Sequence, residues 1–223
     1  MPPSLPGSPL ASPAGPGSRA GEEGDEVLAV LPVKGFAAAK SRLDGVLEPS
    51  RRAALSRAVA RRVAAACAAA GAEVVVVTPD EEVACWAVEA GLEVLAEPPG
   101  GGLDGAATAG AALARGRGSA WCIVHADLPL LTPAHLQEIA AGARPGTAVL
   151  APSRHGGTNL LAGTQPMPFA YGPGSFHRHL AAARHLERRV LVTVGTALDL
   201  DTPEDLRAAA SLPGGAWLRD YLT

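Results

Sequence analysis

The sequence predicts one α/β domain whose mostly parallel sheet carries helices on both faces. Three observations lead there. Short valine-rich stretches alternate with helical periodicity from Val27 onward, and near-continuous apolar strands are those buried on both sides of a parallel sheet. The chain has 223 residues, enough for one well-cored domain once an atypical start is set aside. Acidic residues also recur where an expected strand gives way to a helix, at Asp127 and around Asp201.

The atypical start runs from Met1 to Asp25. It holds Pro2, Pro3, Pro6, Pro9, Pro13 and Pro16 among Ser, Gly and Ala, with no apolar run. Such a segment buries too little surface to offset the entropy of ordering it. It also lacks the charged start and apolar core of a signal peptide. A disordered leader is expected over residues 1–25, with the domain over 26–223.

Val27 to Val33 reads as the first buried strand, followed by a polar loop from Lys34 to Leu47. Pro49 suits the first position of a helix. There Leu55, Val59, Val63 and Cys67 recur every four residues, while Arg51, Arg52, Arg57, Arg61 and Arg62 are expected on the other face. Glu73 to Thr78 is a strand, Asp80 to Ala90 a helix and Leu92 to Ala96 a third strand. A glycine loop then leads to an alanine-rich helix, Gly105 to Arg115, with Asp104 as its expected cap. Ala120 to Ala126 is the fourth strand, and Thr132-Pro133 opens the helix over 132–142. Strands at Ala148 to Pro152 and, shorter, at Leu160 to Gly163 precede a helix from Ser175 to Leu186. Val190 to Val194 is expected as a strand and Thr202 to Ala210 as the last clear helix, with Trp217 and Leu218 packing back.

Several classes are excluded. No stretch approaches the ~18 apolar residues of a membrane span. The net charge of −3 argues against nucleic-acid binding, which needs a basic face. Cys67, Cys85 and Cys122 stand at no metal-like spacing and read as reduced core residues of a cytoplasmic protein. A homodimer is compatible with the sequence.

Asp127 follows the fourth strand, at the sheet edge where ligands bind in open α/β folds. A carboxylate there suits a divalent cation, which in turn suits a phosphate-bearing substrate; the plainer alternative is a turn cap. The only lysines among 19 basic residues, Lys34 and Lys40, fall together after the first strand with Arg42 beside them. Compact ammonium charges suit phosphate oxygens. The stretch Leu198-Asp199-Leu200-Asp201-Thr202-Pro203 repeats the strand, acid, Thr-Pro order. Asp201, with Asp199 second, is therefore a candidate to share a metal with Asp127, against the alternative of Asp201 as an N-cap with Glu204 three residues on. Gly100-Gly101-Gly102-Leu103-Asp104-Gly105 satisfies G-x-G-x-x-G but follows the third strand, so it is no dinucleotide fingerprint. Its backbone could still approach a nucleobase. Gly156-Gly157-Thr158-Asn159 and Gly172-Pro173-Gly174-Ser175 combine glycine with hydroxyls, and Ser175 at a helix start is a natural anion seat. His177, His179 and His185 lack metal-pair spacing and suit surface or packing roles.

In order, Val30-Leu31-Pro32-Val33-Lys34, Ala39-Lys40-Ser41-Arg42-Leu43, Val77-Thr78-Pro79-Asp80, Ala126-Asp127-Leu128-Pro129-Leu130-Leu131, Gly156-Gly157-Thr158-Asn159-Leu160, Gly172-Pro173-Gly174-Ser175-Phe176 and Asp199 to Leu206 resemble the 2-phospho-L-lactate guanylyltransferases. Seven motifs in sequence, spanning Val27 to Leu206, are specific where each alone is weak. Actinobacterial members of that family use phosphoenolpyruvate and serve coenzyme F-420 biosynthesis. The resemblance implies a single three-layer, Rossmann-like nucleotidyltransferase domain that uses GTP and Mg²⁺ and releases pyrophosphate. It implies that Thr158, Gly172 and Ser175 hold the acceptor, phosphoenolpyruvate or 2-phospho-L-lactate. Lys34, Lys40 and Arg42 would then hold the triphosphate, Asp127 and Asp201 (with Asp199) the metal, and Gly102 and Asp104 would lie near the base.

Asp104 departs from the family's usual asparagine, and His125 stands where a small residue or proline is commoner. A carboxylate can accept both guanine N1 and N2 hydrogens, so Asp104→Asn is expected to narrow the preference for GTP over ATP. Rival readings are a CMP or sugar transferase on the same fold, or a non-catalytic nucleotide-binding partner.

Overall fold

Val27–Pro32 forms β1, and its side chains divide between two cores. Val27, Ala29 and Leu31 join one buried cluster, while Leu28 and Val30 join the other. That alternation is the period of a strand, and an unbroken apolar run is what a strand covered on both sides requires. The computed structural model describes residues 26–37 and 40–222. The expected leader lies outside them.

The remaining elements follow as α1 (Pro49–Ala69), β2 (Glu73–Thr78), α2 (Glu81–Glu89), β3 (Glu93–Ala96), α3 (Gly102–Gly116), β4 (Ala120–Val124), α4 (Pro133–Gly142), β5 (Thr147–Pro152), β6 (Thr158–Gly163), α5 (Ser175–Ala182), β7 (Glu187–Val190), α6 (Val194–Ala197) and α7 (Pro203–Ser211). The strands form one sheet in the order β3-β2-β1-β4-β6-β5-β7. The pairs β1/β2, β1/β4, β2/β3 and β5/β7 are parallel, and only β6 runs against its neighbours β4 and β5. The sheet is therefore mostly parallel, as expected. Helices α1, α2, α4 and α7 contribute to the first core, α3 and α5 to the second. The result is three layers.

Several expectations need correction. The valines from Val190 to Val194 do not form a strand; β7 is Glu187–Val190, at the sheet edge, and the chain then turns into α6. Val190, Val192 and Val194 remain 48%, 65% and 55% exposed. Their alternation therefore reflects residue type and not burial. Thr193 accepts from the Thr196 N–H and starts a helix in their midst. Arg52 is not on the polar face of α1, because an ion pair with Asp44 covers it. Cys67 and Cys122 are buried, and burial pushes the Cys67 thiol up to about 12, but Cys85 is exposed. Asp104 does not cap α3, which begins at Gly102, so Asp104 lies within its first turn. Helix α5 stops at Ala182, short of Leu186. Leu218 does pack back into the first core, and the Arg62 guanidinium lies over Trp217 at 4.5 Å.

Helix α3 approaches β1 closely through Gly110: a Cβ there would lie 2.2 Å from Val30 Cγ1. Gly110→Ala should therefore destabilise the fold by about 1–3 kcal/mol through overpacking, read as a lowered midpoint of thermal unfolding. An unchanged midpoint would contradict this packing.

Candidate active site

The chain leaves β1 on one side to build β2 and β3, then returns to place β4 on the other side. The carboxyl ends of β1 and β4 thus flank the crevice where strand order reverses, the position favoured by ligands in open α/β sheets. Val30 of β1 is level with Ile123 of β4. Lys34 and Asp127 each lie four residues beyond that pair, so one cationic and one acidic side chain emerge on the two banks of the crevice.

The late acidic stretch is brought to the same place by backbone. Leu200 N–H donates to the Asp127 carbonyl at 3.0 Å. Lys40 Nζ donates to the Leu200 carbonyl. Lys34, Lys40, Asp127 and Asp201 all line one cleft of about 550 Å³. Asp201 is not the N-cap of α7: that role belongs to Thr202, with Asp205 at the third position completing the capping box. The Asp201 side chain is thereby left to the cleft. Arg42 does not line the cleft but pairs with Asp201 across 3.8 Å, both side chains being well exposed. A contact so screened is readily exchanged.

The acids are electrostatically unfinished. Asp127 Oδ1 and Asp199 Oδ1 are buried without hydrogen-bond partners among the described residues. Burial raises the Asp199 carboxyl above its ordinary range, and the charge of Asp127 raises it further. Neighbouring carboxylates oppose one another's ionisation unless a cation joins them. Among the described residues no group of three or more His, Cys, Asp or Glu side chains is arranged to hold a metal unaided. A two-carboxylate edge facing a cleft fits a hard divalent cation that takes its other ligands from water and phosphate.

A second cluster lies beside the first. Strand β6 begins at Thr158, two residues earlier than expected, and its antiparallel pairing with β4 sets that end next to Asp127; His125 N–H donates to the Asn159 carbonyl at 3.0 Å. Ser175 Oγ donates to Thr158 Oγ1 at 3.3 Å, and both residues are buried. Gly172 (φ +102°) and Gly174 (φ +72°) adopt left-handed backbone that side chains resist, which turns the chain into α5. His179 closes this cluster. Its Nε2 accepts from Ala170 N–H at 2.9 Å, so its Nδ1 carries the hydrogen directed to Thr158 Oγ1, also at 2.9 Å. Burial pushes the His179 imidazole down to about 4, consistent with that neutral ring.

The structure thus brings together Lys34, Lys40, Asp127 and Asp201 in the cleft, whereas Asp199, Thr158, Gly172 and Ser175 do not line it, Thr158 being tied to it through the pairing of β6 with β4. Gly102 opens α3 at φ +56° but does not line the cleft; its neighbour Leu103 does. Asp104 is also absent from the lining, because its Oδ1 accepts from Tyr171 N–H at 2.7 Å, on the Gly172 side. Ser56, Asp80, Glu97 and His125 line the cleft without having been singled out as site residues. Asp80 could have been found, since it follows β2 at the same sheet edge and caps α2 through Val83 N–H. Asp104→Ala should loosen the Tyr171 loop, raising the acceptor KM about tenfold, the scale of one lost charge-assisted hydrogen bond, with the GTP-to-ATP ratio unchanged. Steady-state kinetics with both nucleotides would check this, and a narrowed ratio would instead place Asp104 at the base.

Comparison with known proteins agrees with this geometry. Residues 27–222 match the family described as guanylyl transferase, CofC like. A phosphoenolpyruvate guanylyltransferase of Rubrobacter xylanophilus is 41% identical over 202 residues, covering 86% of this chain and 97% of that protein. A 2-phospho-L-lactate guanylyltransferase of Methanothermobacter thermautotrophicus is 33% identical, covering 88% and 90%. A 3-phospho-D-glycerate guanylyltransferase of Phenylobacterium zucineum is 39% identical, covering 87% and 94%. Among solved structures, a nucleotidyl transferase from M. thermautotrophicus superposes with a TM-score of 0.60 at 16% identity, covering 87% of this chain and 99% of that one. That likeness shows a shared nucleotidyltransferase fold. With a family match along nearly all of the described residues and relatives aligned almost end to end, this chain belongs to the CofC-like guanylyl transferases.

Proposed function

We propose that the protein transfers GMP from GTP to a small phosphorylated carboxylic acid, phosphoenolpyruvate or 2-phospho-L-lactate, with release of pyrophosphate. The observation that carries this reading is the meeting of Lys34, Lys40, Asp127 and Asp201 in one cleft at the strand-order reversal, with Asp127 Oδ1 buried and unbonded. Relatives named for such transfer support it. An oxygen of the acceptor's phosphate would form a bond to the α-phosphorus of GTP while the bond from that phosphorus to the departing pyrophosphate breaks.

Little covalent work falls to the protein in such a reaction; positioning and charge neutralisation dominate. Lys34 and Lys40 would bind the triphosphate and then the pyrophosphate, with Arg42 reaching in once it leaves Asp201. Thr158, Gly172 and Ser175 would orient the acceptor against the α-phosphate. Asp127 and Asp201, with Asp199 behind, would hold Mg²⁺, whose chemistry is to neutralise phosphate charge as it builds up. The product would serve coenzyme F-420 assembly in the cytoplasm. A CMP or sugar transferase on the same fold, and a binding partner without turnover, are the readings against which this one is set.

The test is purified protein with GTP, Mg²⁺ and each of phosphoenolpyruvate, 2-phospho-L-lactate and 3-phospho-D-glycerate, with products identified by mass spectrometry. CTP and ATP in place of GTP score the rivals. A guanosine diphosphoacid with one acceptor is expected, and nucleotide binding without any product would overturn the reading. Asp127→Ala should lower kcat by at least about a thousandfold, as loss of a metal-holding carboxylate would, with thermal unfolding little changed. Undiminished GMP transfer in that variant would remove the metal assignment.

A further inference from the structure

Among the described residues the acids that line the cleft are Asp80, Glu97, Asp127 and Asp201. Asp127 and Asp201 form the metal edge, and Asp80 spends Oδ1 on the Val83 N–H at 3.0 Å as the cap of α2. Asp104, which the sequence set near the base, is turned to Tyr171 N–H instead. Glu97 is left over. No group among the described residues binds its carboxylate, and the residue is only partly buried, so its oxygens are open to whatever enters the cleft.

Strand register fixes where Glu97 stands. Val75 of β2 is level with Val30 of β1 on one side and with Glu93 of β3 on the other. Val30 is in turn level with Ile123 of β4. Glu97 therefore lies four residues beyond the same row as Lys34 and Asp127 do. The three share one edge of the sheet, with Glu97 at the β3 end, three strand spacings or about 14 Å from Asp127. Its backbone is held there: Glu97 N–H donates to the Thr78 carbonyl at 3.1 Å, and Gly101 N–H to the Pro98 carbonyl at 2.9 Å. The glycine loop then brings Leu103 back to the cleft, where it joins Val33 and Phe36 as apolar wall.

This order gives a nucleotide its direction. The Thr158 cluster is joined to β4 through β6, so an acceptor held there occupies the side of Asp127 away from β1. With the α-phosphate at Lys34 and Asp127, the nucleoside has to run the other way, across β1 and β2 toward β3. The span to Glu97 suits a cation-bound phosphate at one end and a purine at the other, and the apolar wall suits the faces of a ring. Guanine presents N1–H and N2–H side by side, a pair that one carboxylate accepts through two parallel bonds. Adenine and cytosine carry a bare ring acceptor in place of N1–H, and uracil has a single N–H between two carbonyls. Each of these sets an acceptor against the carboxylate, so an unpaired acid at the base end discriminates among nucleotides.

Resting on the guanylyl-transfer reading above, we infer that Glu97 accepts the N1 and N2 hydrogens of guanine and so selects GTP. Glu97→Gln exchanges one acceptor oxygen for a donor, which opposes the guanine amino group but fits xanthine, whose C2 bears a carbonyl. Kinetics against phosphoenolpyruvate would compare GTP, xanthosine triphosphate, inosine triphosphate and 2′-deoxy-GTP, alongside calorimetric titration of each with Mg²⁺ into the full-length protein. The wild type should favour GTP. In Glu97→Gln, kcat/KM should fall about a hundredfold for GTP and rise about tenfold for xanthosine triphosphate, the scale of a charge-assisted pair lost and a neutral one gained. The ratio of GTP to its deoxy form should not move, nor should the unfolding midpoint. Glu97→Ala should bring GTP level with inosine triphosphate, which lacks only the N2 group. An unaltered ratio of GTP to xanthosine triphosphate in Glu97→Gln would overturn the base assignment alone. So would a change confined to the deoxy ratio, which would set the acid on the ribose, or a lowered midpoint in both variants. A switch in binding without turnover on any nucleotide would uphold the assignment and overturn guanylyl transfer. Failure of the wild type to bind any of the nucleotides would overturn both.

Discussion

One residue joins the parts of this site. Leu200 gives its N–H to the carbonyl of Asp127 and takes the ammonium of Lys40 on its own carbonyl. Three segments far apart in sequence are thereby fixed together: the lysine loop after β1, the turn after β4, and the stretch that enters α7. Asp199 and Asp201 flank Leu200, so whatever holds this residue holds both late acids relative to Asp127. The side chain of Leu200 is fully buried, which anchors the residue in the first core and leaves Asp201 to the crevice. Core packing and site geometry are one constraint here.

The carboxylates at this junction leave bonding capacity open. Asp127 and Asp199 carry buried oxygens without a hydrogen-bond partner among the described residues, and burial together with the charge of Asp127 raises the Asp199 carboxyl above its ordinary range. The described residues do not enclose a metal by themselves. On the proposed reading, a cation and phosphate oxygens would fill the positions these residues leave open. In the Thr158 cluster beside it the polar groups are spent within the chain. His179 spends both ring nitrogens on Ala170 and Thr158, and Arg178 binds the carbonyls of Ala170, Tyr171 and Pro173.

Much of this was legible from residue order. The alternation of buried side chains in β1 and β4, the proline at the start of α1, and the Thr-Pro openings of α4 and α7 each follow from local chemistry. The same reasoning placed Lys34 and Asp127 just past strand ends, where the sheet holds them; Asp201 was expected after a strand too, but it follows α6, and it and Lys40 reach the cleft through Leu200. What local chemistry could not supply was context. Val190 to Val194 has the composition of a strand, yet only Val190 is paired in β7, and beyond it a threonine capping box outweighs β propensity. Arg52 has the look of a solvated charge until Asp44 is folded onto it. Asp104 suits a helix cap or a base contact equally well in sequence, and only the Tyr171 loop, distant along the chain, shows where its oxygen goes.

The central claim is that Asp127 and Asp201 act as one unit across the Leu200 bridge. A double-mutant cycle on kcat/KM for GTP, using Asp127→Asn, Asp201→Asn and the combined variant, tests it directly, because groups that share one function lose it together. The combined variant should be no more impaired than the worse single variant. Losses that multiply would show two carboxylates working independently, and the shared site would not stand.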